Sequence, residues 1–203
     1  LLMNRRFDFI TILLVLLNLL GFGYNYMMNG AGLITNQVTS QQYLNVGAMN
    51  GDSSLLTWVT SMFQHASAIH ILMNMLSLIA LAPAVILLFN RFWYLIGYLV
   101  SGLIASFSNS IFAPDTVTLG ASGAICGLMG MLVIGGLFSY YKEYIDLKEI
   151  ITAVLFMIIA TLSNPTVSVT GHFGGFVGGL IVGLILVIGQ RLFSQNPHED
   201  DVL

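Results

Sequence analysis

Apolar residues along the chain gather into six runs, set apart by short polar stretches. They cover Phe9 to Met27, Ile69 to Phe89, Phe92 to Phe112, Ala121 to Tyr140, Leu147 to Leu162 and Phe173 to Ile188. A helix needs about 20 apolar residues to cross the hydrocarbon of a bilayer, and the runs match that length, the fifth least well. The pattern therefore predicts an all-α membrane protein of six transmembrane helices, forming a single membrane domain over residues 1–203. One long connection, the outer loop over residues 28–68, is polar, contains glycine and is almost uncharged.

Charge placement orients these helices. Arg5 and Arg6 precede the first run, Arg91 lies between the second and third, Lys142 and Lys148 between the fourth and fifth, and Arg191 follows the sixth. With six spans, all of these fall on one side. The other three connections hold no Lys or Arg, so both termini are expected to be cytoplasmic. Arg5 and Arg6 before an apolar run imitate a secretory leader. Gly21-Phe22-Gly23 is a poor cleavage site, however, and the run is read as a span.

Composition agrees with the pattern. Of 203 residues 57% are hydrophobic and 7% charged, where soluble domains carry about a quarter charged residues. Six Lys and Arg against nine Asp and Glu, a net charge of −3, offer no basic patch for nucleic acid. The single cysteine, Cys126, excludes an internal disulfide framework and a cysteine-rich metal site.

Polar groups at membrane depth are costly and mark wet cavities or sites. Ser122, His172, His70 and Asn74 all fall near the outer ends of predicted helices, the second, fourth and sixth. His70 and Asn74, four residues apart, share a helix face. A serine hydroxyl becomes nucleophilic when an imidazole takes its proton, and the same imidazole can protonate a leaving amine. Ser122 and His172 are suited to those roles, with His70 and Asn74 as donors to an oxyanion beside the backbone N–H groups around Ser122. Gly120 and Gly123 remove bulk next to the nucleophile.

Several chemistries are excluded. No acidic residue lies well inside a run, so neither a two-aspartate intramembrane protease nor an acid-oriented triad can be built. His70 is followed by Ile71-Leu72-Met73-Asn74, which is not the H-E-x-x-H zinc pattern. Leu119 to Gly127 reads LGASGAICG, close to the G-x-S-x-G elbow of α/β-hydrolases, yet it ends in Ala124 and opens a membrane helix.

Taken singly, these residues have plainer readings. Ser122 could be a packing serine beside Gly123, Gly127 and Gly130, and His172 an interfacial helix-end histidine. His65 reads as a structural residue hydrogen-bonding within the outer loop, and Cys126 as a small buried apolar residue. A metal site from His65, His70 and His172 lacks carboxylate or thiolate support, and none is expected. Gly171, Gly175, Gly179 and Gly183 recur every four residues and predict close packing on another helix, the fourth.

Phe63-Gln64-His65-Ala66-Ser67 with His70 to Asn74, then Gly120 to Gly123, then Gly171-His172-Phe173-Gly174-Gly175 resembles the rhomboid family of intramembrane serine proteases in order and placement. The resemblance implies a six-helix rhomboid bundle with Ser122 as nucleophile, His172 as base, and His70, Asn74 and the Ser122 N–H at the oxyanion. It implies other membrane proteins as substrates, within the lipid bilayer, and no cofactor; the charge-derived orientation faces the site away from the cytoplasm, and the compact core is read as belonging to a bacterial plasma membrane. Two positions depart from the family pattern: Val59 stands where many members carry arginine after Trp58, and Cys126 where an aromatic often packs on the catalytic histidine. Two other readings stand beside this one, a non-catalytic relative that binds membrane clients and a small transporter lined by His70, Asn74 and His172.

Overall fold

The computed structural model describes residues 8–35 and 37–193, so Arg5, Arg6 and the acidic stretch His198 to Asp201 lie outside the described residues. Among the described residues the regular structure is helical: α1 (Phe9–Asn29), α2 (Gly32–Thr35), α3 (Ser40–Asn45), α4 (Leu55–Ser61), α5 (Ala68–Phe112), α6 (Ser122–Phe138), α7 (Leu147–Ser163) and α8 (Val169–Phe193). Three of these, α1, α5 and α8, are long and apolar enough to cross a membrane, and α6 is a shorter apolar helix. The predicted second and third runs are the two halves of α5, which breaks at Asn90 with φ 66° and ψ 174°.

The break has a local chemical cause. Asn90 Oδ1 accepts from the N–H of Phe92 at 3.0 Å and of Trp93 at 3.2 Å, capping the second half as Asn caps a new helix. That capture leaves the Leu88 carbonyl without its helical donor. Gln190 of α8 supplies one through Nε2 at 2.8 Å and accepts from Ser139 Oγ at 3.1 Å, tying α5, α6 and α8 together at this end. Arg91, next to the break, pairs with Asp8 at 2.6 Å, and Asp8 caps α1 through Ile10 and Thr11. The described cationic residues Arg91, Lys142, Lys148 and Arg191 all belong to this end of the bundle.

At the centre stands α6, buried along its length from Ala124 to Gly136 and apolar all round, as a helix surrounded by others should be. Packing against α8 is close because glycines of the two helices face each other. A methyl group at Gly175 would overlap the Gly123 carbonyl, one at Gly179 the Gly127 carbonyl, and one at Gly130 the Phe176 carbonyl. Gly175, Gly179 and Gly183 thus form the seam with α6 that the sequence predicts, while Gly171, the first of the series, faces Asn109 of α5 and Ser168 instead. Around it the core is filled by Leu78, Val85, Leu88, Tyr94, Tyr98, Leu128 and Met131, all nearly inaccessible.

α7 is attached differently. Its buried residues are Ile150 and Thr161 alone, while Phe156 is 75% exposed and Leu162 69%. Its outward face is apolar and unpartnered, as expected for a helix lying against lipid. The long loop carries α2 to α4 and docks on the segment before α6: Met49 and Thr118 exchange backbone hydrogen bonds of 2.9 and 2.8 Å.

Candidate active site

Ser122 is the first residue of α6, and Ala121 before it provides no side-chain cap. The first helical bond runs from Ile125 N–H to the Ala121 carbonyl, at 3.0 Å. The N–H groups of Ser122, Gly123 and Ala124 therefore have no intrahelical acceptor and point out of the helix start, where its dipole favours negative charge.

Gly120 brings α5 to this point. Its φ of 128° lies in the region glycine alone adopts readily, and its N–H is held by the Ser61 carbonyl at 2.9 Å. A methyl group here would sit 2.8 Å from His70 Cε1, 2.9 Å from His70 Nε2 and 3.6 Å from Asn74 Nδ2. Both side chains thus lie against the backbone two residues before Ser122. Asn74 Nδ2 is buried and has no hydrogen-bond partner among the described residues. The Ala66 N–H donates to His70 Nδ1 at 3.4 Å. Because an N–H can only donate, Nδ1 is the unprotonated nitrogen, and the neutral ring carries its hydrogen on Nε2. Two side-chain donors consequently face Gly120.

His172 arrives on the first turn of α8. The helix begins at Val169, four residues before the predicted run, so His172 lies inside it. The Gly123 backbone faces the residues around His172: a methyl at Gly123 would lie 3.6 Å from the Gly171 carbonyl. His172 Nδ1 and Thr161 Oγ1 share a hydrogen bond of 2.8 Å. The Ser122 hydroxyl makes no hydrogen bond among the described residues. Among the described residues no hydrogen bond joins it to His172, whose Nδ1 contact is with Thr161.

His65 corrects one expectation. Its ring is inaccessible, neither ring nitrogen makes a hydrogen bond of ordinary geometry among the described residues, and it packs edge-on to His70 with centroids 5.0 Å apart. Its loop role runs through the backbone, whose carbonyl accepts from Asn25 Nδ2 at 3.0 Å. Burial, then the neighbouring His70, pushes its pKa down to about 3, against a pull from the Phe63 carbonyl. The ring supports His70 as a neutral wall.

Two polar residues absent from the sequence reading belong to the site. One is Thr161. The other is Asn109, whose Oδ1 accepts from Ser168 Oγ at 2.5 Å and Thr170 Oγ1 at 2.6 Å, and whose Nδ2 donates to Thr118 Oγ1 at 3.3 Å. Asn109 therefore joins the start of α8 to the segment leading into Ser122. Both lie in apolar runs at the same end as Ser122 and His172, and polarity at that depth was the signal that could have found them.

A family model described as the rhomboid domain matches residues 52–189, which hold every residue of this cluster. The chain belongs to the rhomboid family. It is 29% identical over 187 residues to the "Putative rhomboid protease YdcA" of Bacillus subtilis (strain 168), covering 90% of each chain. It is 35% identical over 136 residues to "RHOMBOID-like protein 2" of Arabidopsis thaliana, covering 64% of this chain and 42% of that one. With "Rhomboid-like protease 3" of Toxoplasma gondii the identity is 26% over 126 residues, covering 60% of this chain and 48% of that one. The chain thus spans most of the Bacillus protein and less than half of the other two. In this rhomboid, Cys126 is buried inside α6, and the polar contact on the His172 ring comes from Thr161. Trp58 is held in the loop through its carbonyl, which accepts from Ser61 Oγ at 3.0 Å and Ser106 Oγ at 3.4 Å.

Proposed function

We propose that this rhomboid is a serine endopeptidase that cleaves other membrane proteins in or near their spans. The observation that carries the reading is the set of unpartnered donors at the start of α6, gathered around a serine with a histidine on the adjoining helix. In this reading α1, the two halves of α5, α6, α7 and α8 are the six spans, both termini are cytoplasmic, and the site opens to the opposite face.

Ser122 Oγ attacks the scissile carbonyl carbon as His172 takes the hydroxyl proton, giving a tetrahedral oxyanion. Asn74 Nδ2, His70 Nε2–H and the N–H of Ser122 donate to that oxygen, in a site whose donors are fixed before the reaction begins. The C–N bond then breaks, the proton on His172 passes to the leaving amine, and an acyl-enzyme remains. Water, deprotonated by the same imidazole, attacks the ester and releases Ser122. A helix hides its carbonyls in hydrogen bonds, so a cleavable segment must unwind, which favours small or helix-breaking residues at the cut. Substrate passes sideways between helices, and α7 with residues 164–168 is the part that moves.

Cleavage of a single-span substrate by the purified protein in liposomes, lost in Ser122→Ala, supports this reading. An uncut panel of such substrates, bound equally by the parent and Ser122→Ala, would favour the client-binding alternative.

A further inference from the structure

Thr161 Oγ1 lies 2.7 Å from the carbonyl of Met157, one turn earlier on α7, and 2.8 Å from His172 Nδ1. A hydroxyl has one hydrogen to give. The carbonyl can only accept, so the hydrogen goes to Met157, as threonine in a membrane helix commonly bonds its own preceding turn. The hydroxyl lone pairs are then left facing His172, and the hydrogen in that contact must belong to Nδ1. We propose that Thr161 is a positioning residue that locks His172 in the Nδ1–H tautomer, leaving Nε2 as its basic nitrogen.

Residues on both helices support the assignment. Thr161 is 7% exposed, one of two buried residues on α7. In an acid-oriented triad a carboxylate fixes tautomer and ring angle. Among the described residues no acid contacts the His172 ring, and a neutral oxygen, itself fixed by the Met157 carbonyl, does the same. His70, held through Nδ1 by a donor, is the opposite tautomer. The two histidines thus differ because one meets a backbone N–H and the other an engaged hydroxyl: His70 presents a donor and His172 a lone pair.

The location on α7 adds a consequence. If α7 swings aside to admit substrate, the Thr161 contact is cut, and His172 is set again only when α7 returns. Base orientation and closure are then one event.

The kinetic part of this inference rests on the protease reading, whereas the tautomer does not, and the test keeps them apart. Protein labelled with 15N-histidine is measured by NMR in detergent, with the His172 signals assigned by their loss in His172→Gln. The expected spectrum has a protonated Nδ1 and a pyridine-type Nε2, kept in Thr161→Ser and lost to a mixture of tautomers in Thr161→Val. In parallel, kcat for a transmembrane peptide should fall about tenfold in Thr161→Val, the loss of one hydrogen bond, with KM little changed and Thr161→Ser near the parent. A parent spectrum with the hydrogen on Nε2 overturns the proposal, and it is read without either Thr161 variant having to fold. Equally, unchanged tautomer and kcat in Thr161→Val would overturn it. An inactive parent with the Nδ1–H signature would sink the protease reading and leave the positioning role standing.

Discussion

Gly175 of α8 lies against the backbone of Gly123 in α6, so close that a methyl group at position 175 would overlap the Gly123 carbonyl. The contact is backbone to backbone, and no flexible side chain can yield. It holds the helix of His172 against the helix of Ser122 one turn inside the site. Gly175→Ala should therefore lower stability by about 1–3 kcal/mol, the usual cost of overpacking. Gly189→Ala, with open space around it, is the matched control. Thermal unfolding in detergent measures both, and equal midpoints would mean that the glycine seam is not a tight contact.

Asn74 Nδ2 is a buried donor with no hydrogen-bond partner among the described residues. On the proposed mechanism it donates to the charge that forms on the substrate oxygen in the transition state. Asn74→Leu should lower kcat by about 10²–10³ and leave KM nearly unchanged. A rise in KM with normal kcat would place Asn74 in ground-state binding instead.

Gln190 satisfies the Leu88 carbonyl that the break at Asn90 strands. Gln190→Leu keeps the bulk and removes the donor, leaving a buried acceptor unmet at a cost of about 1–3 kcal/mol. Gln190→Glu also removes that donor and should be no better. Unfolding midpoints equal to that of the parent would show that water serves the carbonyl equally well.

His65 sets a pH dependence whose sign can be worked out. Its pKa is pushed down to about 3 in the folded protein against 6.5 for an unperturbed histidine. Between those values the unfolded chain binds a proton at His65 that the folded chain does not. Stability contributed by the neutral ring is thus complete above pH 6.5 and drains away as pH falls toward 3. Unfolding midpoints measured from pH 7 to pH 4 should fall less steeply in His65→Gln than in the parent, and parallel slopes would contradict the assignment.

How much of this could be read from the chain depends on the distance over which each feature is determined. The helices follow from runs of apolar residues, and the glycine seam from a spacing of four, both local patterns. Ser122, His70 and Asn74 are legible as candidates because polar groups in apolar runs are rare, His172 because it directly precedes such a run, and each sits in a distinctive short motif. Asn90 as a helix cap was less visible, since asparagine between two apolar runs fits any turn. Thr161 and Asn109 were missed because threonine and asparagine near a helix end have many ordinary uses. What marks them is a partner distant in the chain: His172 for Thr161, and Ser168 with Thr170 for Asn109. The His65 ring was expected to hydrogen-bond, and its packing on His70 depends on how the loop closes over α5.

The central claim is that Ser122 is an activated nucleophile with His172 as its base. The most direct measurement treats the purified protein in detergent with a fluorophosphonate, locates the adduct by peptide mass spectrometry, and repeats this with Ser122→Ala and His172→Ala. The account predicts an adduct on the peptide bearing Ser122, absent from both variants while their helical circular dichroism is unchanged. An unlabelled, folded parent, or labelling that survives in His172→Ala at the parent rate, would contradict it.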